Sequence, residues 1–278
     1  MNMRKWAGFP KVMLLFVVCQ FQGFPDTGGK DTVRNEEGLL RRGEILKGGE
    51  VLKGAEVLNK PAVANRERSQ DDWEVLFDGT NMDKWVSVHV EARPSDGWVI
   101  ENGTLSVKDH RKGQDIITQE EYGNFELVFD FNLTNIANSG IKYLVGDIKN
   151  NSTGNTEWNG PEYQIIDDFN HPEVRNHAHD EGSTASLYLV YAPVNKTLLP
   201  SGSWNTGRII VQGSHIEHWL NGVKVVSCER GSSDFRDRMA ATKFKVYDHY
   251  GELPAGRIML TDHDGDKVYF RNIKIRRL

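Results

Sequence analysis

The stretch Gly160-Pro161-Glu162-Tyr163-Gln164-Ile165-Ile166-Asp167-Asp168 reads as a short β-strand. An aromatic and two β-branched residues sit together between a Gly-Pro turn and an Asp-Asp stop. Alternation places Tyr163, Ile165 and Asp167 on one face and Glu162, Gln164 and Ile166 on the other. A carboxylate and an amide side by side on a half-buried strand cost free energy unless they are paired. Such a cost fits a strand that grips a polar ligand. It also fits an edge strand whose polar face meets water.

The chain has the same texture on both sides of this stretch. Upstream, residues 73–77 run into Asp78-Gly79-Thr80, and 98–100 and 104–107 flank Asn102-Gly103. That dipeptide is a strong hairpin signal because both residues tolerate positive φ. Residues 125–133 alternate clearly and 139–145 follow. Downstream come 186–191, 208–212 and 215–220, then Asn221-Gly222 turning into 223–228, and finally 257–261 and 268–275 joined by Asp264-Gly265. A single short helix is expected over 235–244. Many strands at regular spacing with almost no helix predict an all-β antiparallel sandwich over residues 71–278.

The N-terminal quarter is different. Residues 1–25 have the form of an export signal, with Arg4 and Lys5 before an apolar run, 12–18, too short to span a bilayer. The expected location is therefore the periplasm or cell envelope. Cys19, at the end of the run, is a candidate for a lipid anchor, although Val18 stands where a small residue is expected. Residues 26–70 carry little that could build a core. They include a repeat of period six, Glu44-Ile45-Leu46-Lys47-Gly48, Glu50-Val51-Leu52-Lys53-Gly54 and Glu56-Val57-Leu58. The period matches neither a heptad nor a strand, and its glycines oppose a helix, so a flexible, disordered spacer is expected.

Composition narrows the function. The 278 residues carry a net charge of -5 with no basic cluster, which argues against a nucleic-acid partner. Aromatic residues make up 10%, which suits a carbohydrate binder as well as any β-rich core. The two cysteines, Cys19 and Cys228, exclude a disulfide framework and a cysteine zinc site, and Cys228 reads as a small core residue. Nothing in the sequence fixes an oligomeric state.

Several phrases together resemble one family. Leu76-Phe77-Asp78-Gly79-Thr80 with Trp85, Asn138-Ser139-Gly140-Ile141, and Glu162-Tyr163-Gln164-Ile165-Ile166-Asp167 resemble elements of the 3-keto-disaccharide hydrolase domain. His218-Trp219-Leu220-Asn221-Gly222 and Leu260-Thr261-Asp262-His263 with Phe270-Arg271-Asn272-Ile273 continue the likeness in family order. The resemblance covers residues 73–278. It implies a concanavalin-like jelly roll of two curved antiparallel sheets, with a carbohydrate on the concave face, acting on glycosides already oxidised at C3. Lys142-Tyr143-Leu144 stands where many members carry an Arg, and Thr261 where Gln is common.

A 3-keto group makes the C2 hydrogen acidic, so a base can form an enolate that expels the C1 substituent. Water can then add, giving hydrolysis, or the unsaturated sugar can leave, giving a lyase. Either route needs a base near C2, a donor or cation at the C3 oxygen and an acid at the leaving oxygen. Glu162 is the expected base or positioning carboxylate, Lys142 the expected partner of an enolate oxygen and His263 the expected acid or base. Asn138 and Gln164 offer paired donors and acceptors for sugar hydroxyls. Asp167, Asp262 and Arg271 are further candidates for substrate binding, and Trp158 for stacking on a pyranose.

The plainer readings are an ion pair for Glu162, a solvated Lys142, a loop His263 and a cross-strand salt bridge for Arg271. His171, His177, His179, Asp180 and Glu181 lie in a polar loop with no specified fourth ligand. Residues 262–266 lack a full calcium-loop pattern, so no metal or cofactor is assigned. Two other functions remain open. A sugar-binding module would line its groove with amides and aromatics, and a conventional glycosidase would need two facing carboxylates.

Overall fold

The computed structural model describes residues 72–88, 92–109, 114–263 and 267–278. The export signal, the spacer with its repeat, Cys19 and the Asp264-Gly265 turn lie outside the described residues.

The described chain forms two antiparallel sheets. The larger has the order β12 (Val223–Glu229), β11 (His215–Leu220), β10 (Trp204–Gln212), β6 (Phe125–Leu133), β14 (Val268–Arg277), β4 (Thr104–Val107) and β3 (Trp98–Glu101), with β1 (Glu74–Phe77) also paired to β14. The smaller has the order β2 (Trp85–Ser87), β5 (Ile116–Thr118), β13 (Arg257–Leu260), β7 (Asn138–Lys149) and β8 (Thr156–Asn159). The opening stretch of the sequence, β9 (Glu162–Ile166), pairs with the first part of β7, and β8 pairs with its second part. This is the jelly-roll sandwich expected.

Alternation on β6 makes the core, broken only by Glu126, which is buried in ion pairs with Arg208 and Arg276. Phe125, Leu127, Phe129, Phe131 and Leu133 are buried, while Val128, Asp130 and Asn132 between them keep partial contact with water. From the smaller sheet, Ile141, Tyr143, Tyr163 and Ile165 meet them, and Phe129 and Tyr163 pack edge to face at 5.3 Å. Gly207 on β10 leaves room for this: a Cβ there would lie 2.2 Å from the Phe129 ring. One polar side chain, His218, is fully buried in this layer. Its Nδ1 lies 3.1 Å from the Ala185 carbonyl and its Nε2 2.9 Å from the Tyr143 hydroxyl. The ring donates to the carbonyl and accepts from the phenol, and burial pushes its pKa down to about 4.

Two expectations need correction. Residues 186–191 are not a strand. Ala185 and Leu189 take left-handed backbone angles, φ 69° and 62°, which wind the segment into turns. Its amides still serve the edge of β9: Ala185 N donates to Gln164 O at 2.8 Å and Tyr188 N to Glu162 O at 3.0 Å. Apolar residues that suggested a strand, Leu187 and Val190, enter the core from these turns. The expected helix over 235–244 is divided into α2 (Ser233–Ala240), capped by the Ser232 side chain, and a 3-10 turn over Lys243–Val246. Strands β2, β5 and β8 and the one-turn helix α1 (Pro94–Gly97) were not expected; all are three or four residues long, too short to show a period.

Candidate active site

The pairing of β7 with β9 sets the site. Lys142 lies opposite Glu162 and Gly140 opposite Gln164. Because Ile141, Tyr163 and Ile165 face the core, alternation sends Lys142, Glu162 and Gln164 to the other face of the smaller sheet. There they line a cleft of about 440 Å³ with Asn138 and His263. Asn150, Ser152 and Asn159 from the β7–β8 hairpin, Tyr188, and the 3-10 turn with Lys243, Phe244 and Tyr247 close the rest of the wall.

Glu162 is 4% exposed, and its Oε1 has no hydrogen-bond partner. The same oxygen lies 3.9 Å from His263 Nε2. A buried acceptor without a donor is costly, and in a cleft a ligand group or water can supply the missing donor. The Glu162 carboxylate beside His263 holds the imidazole pKa above its usual value, against the effect of burial; Asp115 adds to the rise and Lys142 opposes it. Gln164 Nε2 donates to Asn138 Oδ1 at 3.4 Å, a long bond that leaves both amides available to a ligand. Burial, Glu162 and Glu173 together raise the Tyr188 phenol, which therefore stays a donor at neutral pH.

The backbone near these groups takes several left-handed angles. Ile136 and Leu144, which bracket Asn138 and Lys142, have φ of 53° and 50°, and Ala185 and Leu189 bracket Tyr188. Left-handed apolar residues are uncommon, and these four flank residues that line the cleft.

Five of the expected residues thus share the cleft: Glu162, Lys142, His263, Asn138 and Gln164. Four do not line it. Asp167 is fully buried and accepts from Ile136 N, Phe169 N and Asn170 Nδ2 at 3.0, 3.1 and 2.8 Å, so it ties the turn after β9. Burial raises its pKa, but these bonds and one from Ser201 outweigh that and hold it low. Arg271 projects from the larger sheet, on the far side of the sandwich; it meets Asp130 at 3.3 Å and stacks 3.9 Å over Trp204. Trp158 packs against Ile117, Val145 and Met259, with the Arg257 guanidinium 5.7 Å from its ring. Asp262 borders a small crevice beside Trp98 and Phe270 that shares Asn138 and His263 with the cleft, without lining the cleft itself.

Tyr188, Lys243, Tyr247, Asn150, Ser152 and Asn159 were missed. Asn150 carried a legible signal, since Asn150-Asn151-Ser152-Thr153-Gly154 is a run of turn residues whose leading Asn can cap the turn; its Oδ1 accepts from Ser152 N at 2.9 Å. Nothing local marked the 3-10 turn as a wall. Among the described residues, no group of three His, Cys, Asp or Glu side chains is arranged to hold a metal.

The 3-keto-alpha-glucoside-1,2-lyase-like domain matches residues 72–276. The chain belongs to this family. A 3-keto-disaccharide hydrolase of Bacteroides thetaiotaomicron is 28% identical over 229 residues, covering 74% of this chain and 78% of that protein. Two crystal structures from Parabacteroides distasonis, provisionally described as glycosyl hydrolases, are each 29% identical over 74% of this chain. They cover 94% and 99% of those chains, with TM-scores of 0.61 and 0.54. The family's matched region ends one strand residue short of the last residue of β14, Arg277, so it spans both sheets and all the cleft residues named above.

Proposed function

We propose that this chain is a glycoside-cleaving enzyme whose substrate is a 3-keto-glycoside, opened by elimination across C1 and C2. Glu162 takes the C2 proton; the electrons form an enolate whose oxygen, at C3, meets the Lys142 ammonium. The C1–O bond breaks with its electron pair going to the leaving oxygen, and His263, whose protonated form the neighbouring Glu162 favours, supplies the proton. Addition of water across the new double bond restores the sugar and makes the overall reaction a hydrolysis; release of the unsaturated sugar makes it a lyase reaction. Family membership and the relatives' names support cleavage of glycosides. The observation that carries the finer reading is the buried Glu162 Oε1, without a hydrogen-bond partner, in one cleft with Lys142 and His263.

A conventional glycosidase fits less well. Among the described residues lining the cleft, Glu162 is the sole carboxylate, whereas that chemistry uses a pair. A sugar-binding module would have no use for a poised base beside two cations. Turnover of a 3-keto-glucoside in deuterated water separates the mechanisms. Elimination and re-addition of water place deuterium at C2 of the product beyond an enzyme-free control. Direct displacement at C1 leaves C2 unlabelled, and that result would overturn the reading.

A further inference from the structure

One residue in this arrangement has no side chain to contribute. A Cβ built on Gly140 would lie 2.0 Å from Glu162 Oε1, 2.8 Å from its carboxyl carbon and 2.9 Å from its Cγ. The Glu162 side chain therefore lies flat across β7, in the space that any other residue at 140 would fill. Backbone conformation does not require glycine there, since Gly140 is not among the positive-φ residues. Space is the reason.

The other side of Gly140 is tied to the segment bearing His263. Its carbonyl accepts from Thr261 N at 3.1 Å and from Thr261 Oγ1 at 3.3 Å. Ser139 Oγ returns a bond to Thr261 O at 2.8 Å. Thr261 precedes His263 by two residues. One glycine thus fixes where the carboxylate lies through its bare Cα, and where the imidazole begins through its carbonyl.

We propose that Gly140 is a positioning residue for the cleavage reaction: it is the socket that sets the Glu162 carboxylate against His263. The kinetic part of this inference rests on the function proposed above, but the positional part does not. In Gly140→Ala the methyl group displaces the flexible end of Glu162 rather than the backbone, so the fold survives and the catalytic geometry is lost. A displacement near 1 Å costs about 100-fold in turnover. The effect should fall on kcat, with KM little changed, because sugar-binding amides on neighbouring positions stay in place.

The readout that a merely structural glycine would not move is the titration of His263. The charged groups facing that ring are Glu162 from β9, Lys142 from β7 and Asp115 from the segment before β5. With Glu162 displaced, Lys142 opposes Asp115, and the ring should titrate nearer its ordinary 6.5. The test is NMR titration of ring-labelled histidine in the full domain, in wild type, Gly140→Ala and Glu162→Gln. The proposal expects Gly140→Ala to move His263 downward as Glu162→Gln does, while circular dichroism stays unchanged.

An unmoved His263 in Gly140→Ala would overturn the proposal, whatever the substrate proves to be. So would wild-type kcat in that variant once turnover is measurable. If Gly140→Ala unfolds, adding Glu162→Ala decides the matter. Recovery of the fold confirms that the clash is with Glu162, and failure to recover places it elsewhere and refutes the socket.

Discussion

At the scale of single residues, the account turns on a carboxylate that the fold buries without a donor. Glu162→Gln keeps the shape and removes the base. It should abolish turnover of a 3-keto-glycoside while leaving the thermal midpoint and sugar binding, measured by calorimetry, close to wild type. Retained turnover would remove Glu162 from the mechanism. How well sequence located this residue depended on its neighbours: alternation around Tyr163 and Ile165 put Glu162 and Gln164 on one face, and the same rule placed Lys142. Alternation within a strand says nothing of which sheet the strand joins. Arg271 was misplaced for that reason, since β14 lies in the larger sheet and the arginine meets Asp130 across a strand pair. Asp167 was misplaced because a turn follows β9 at once, and the turn consumes its oxygens.

At the scale of elements, the wall opposite the sheet is a wound segment rather than a strand, and a buried ion pair holds it. Lys196 Nζ lies 2.7 Å from Asp168 Oδ2, both side chains 3% exposed, and donates also to Ser183 Oγ at 2.7 Å and Thr184 O at 3.0 Å. Burial pushes the Asp168 pKa up and the Lys196 pKa down, with their mutual attraction opposing both shifts. Removing one partner leaves an uncompensated buried charge, which costs about 3–5 kcal/mol. Lys196→Met should therefore lower stability by that order in denaturant unfolding, and adding Asp168→Asn should recover part of it. Equal stability of the single and double variants would show that the pair is not what holds the segment. This strut was not legible in sequence, because its partners are far apart in the chain and neither has a local signature. Long strands were legible for the opposite reason, since β6 and β11 each carry several alternations.

At the scale of the whole molecule, two sheets with one shared core present a polar cleft on the face of the smaller sheet, and the core itself was foreseeable from β6 alone. What could not be foreseen was closure: the turns of 150–159, the segment around Tyr188 and the 3-10 turn of Lys243–Val246 meet only in the folded chain. The resulting cleft sets one carboxylate against Lys142, Lys243 and a histidine whose pKa is raised, a balance suited to forming and holding an enolate. The most direct test offers the domain a matched pair of glucosides, one native and one oxidised at C3, with products weighed by mass spectrometry. The account predicts cleavage of the 3-keto form alone, with product mass separating hydrolysis from elimination by one water. Cleavage of the native glucoside, or binding of both without cleavage, would contradict it.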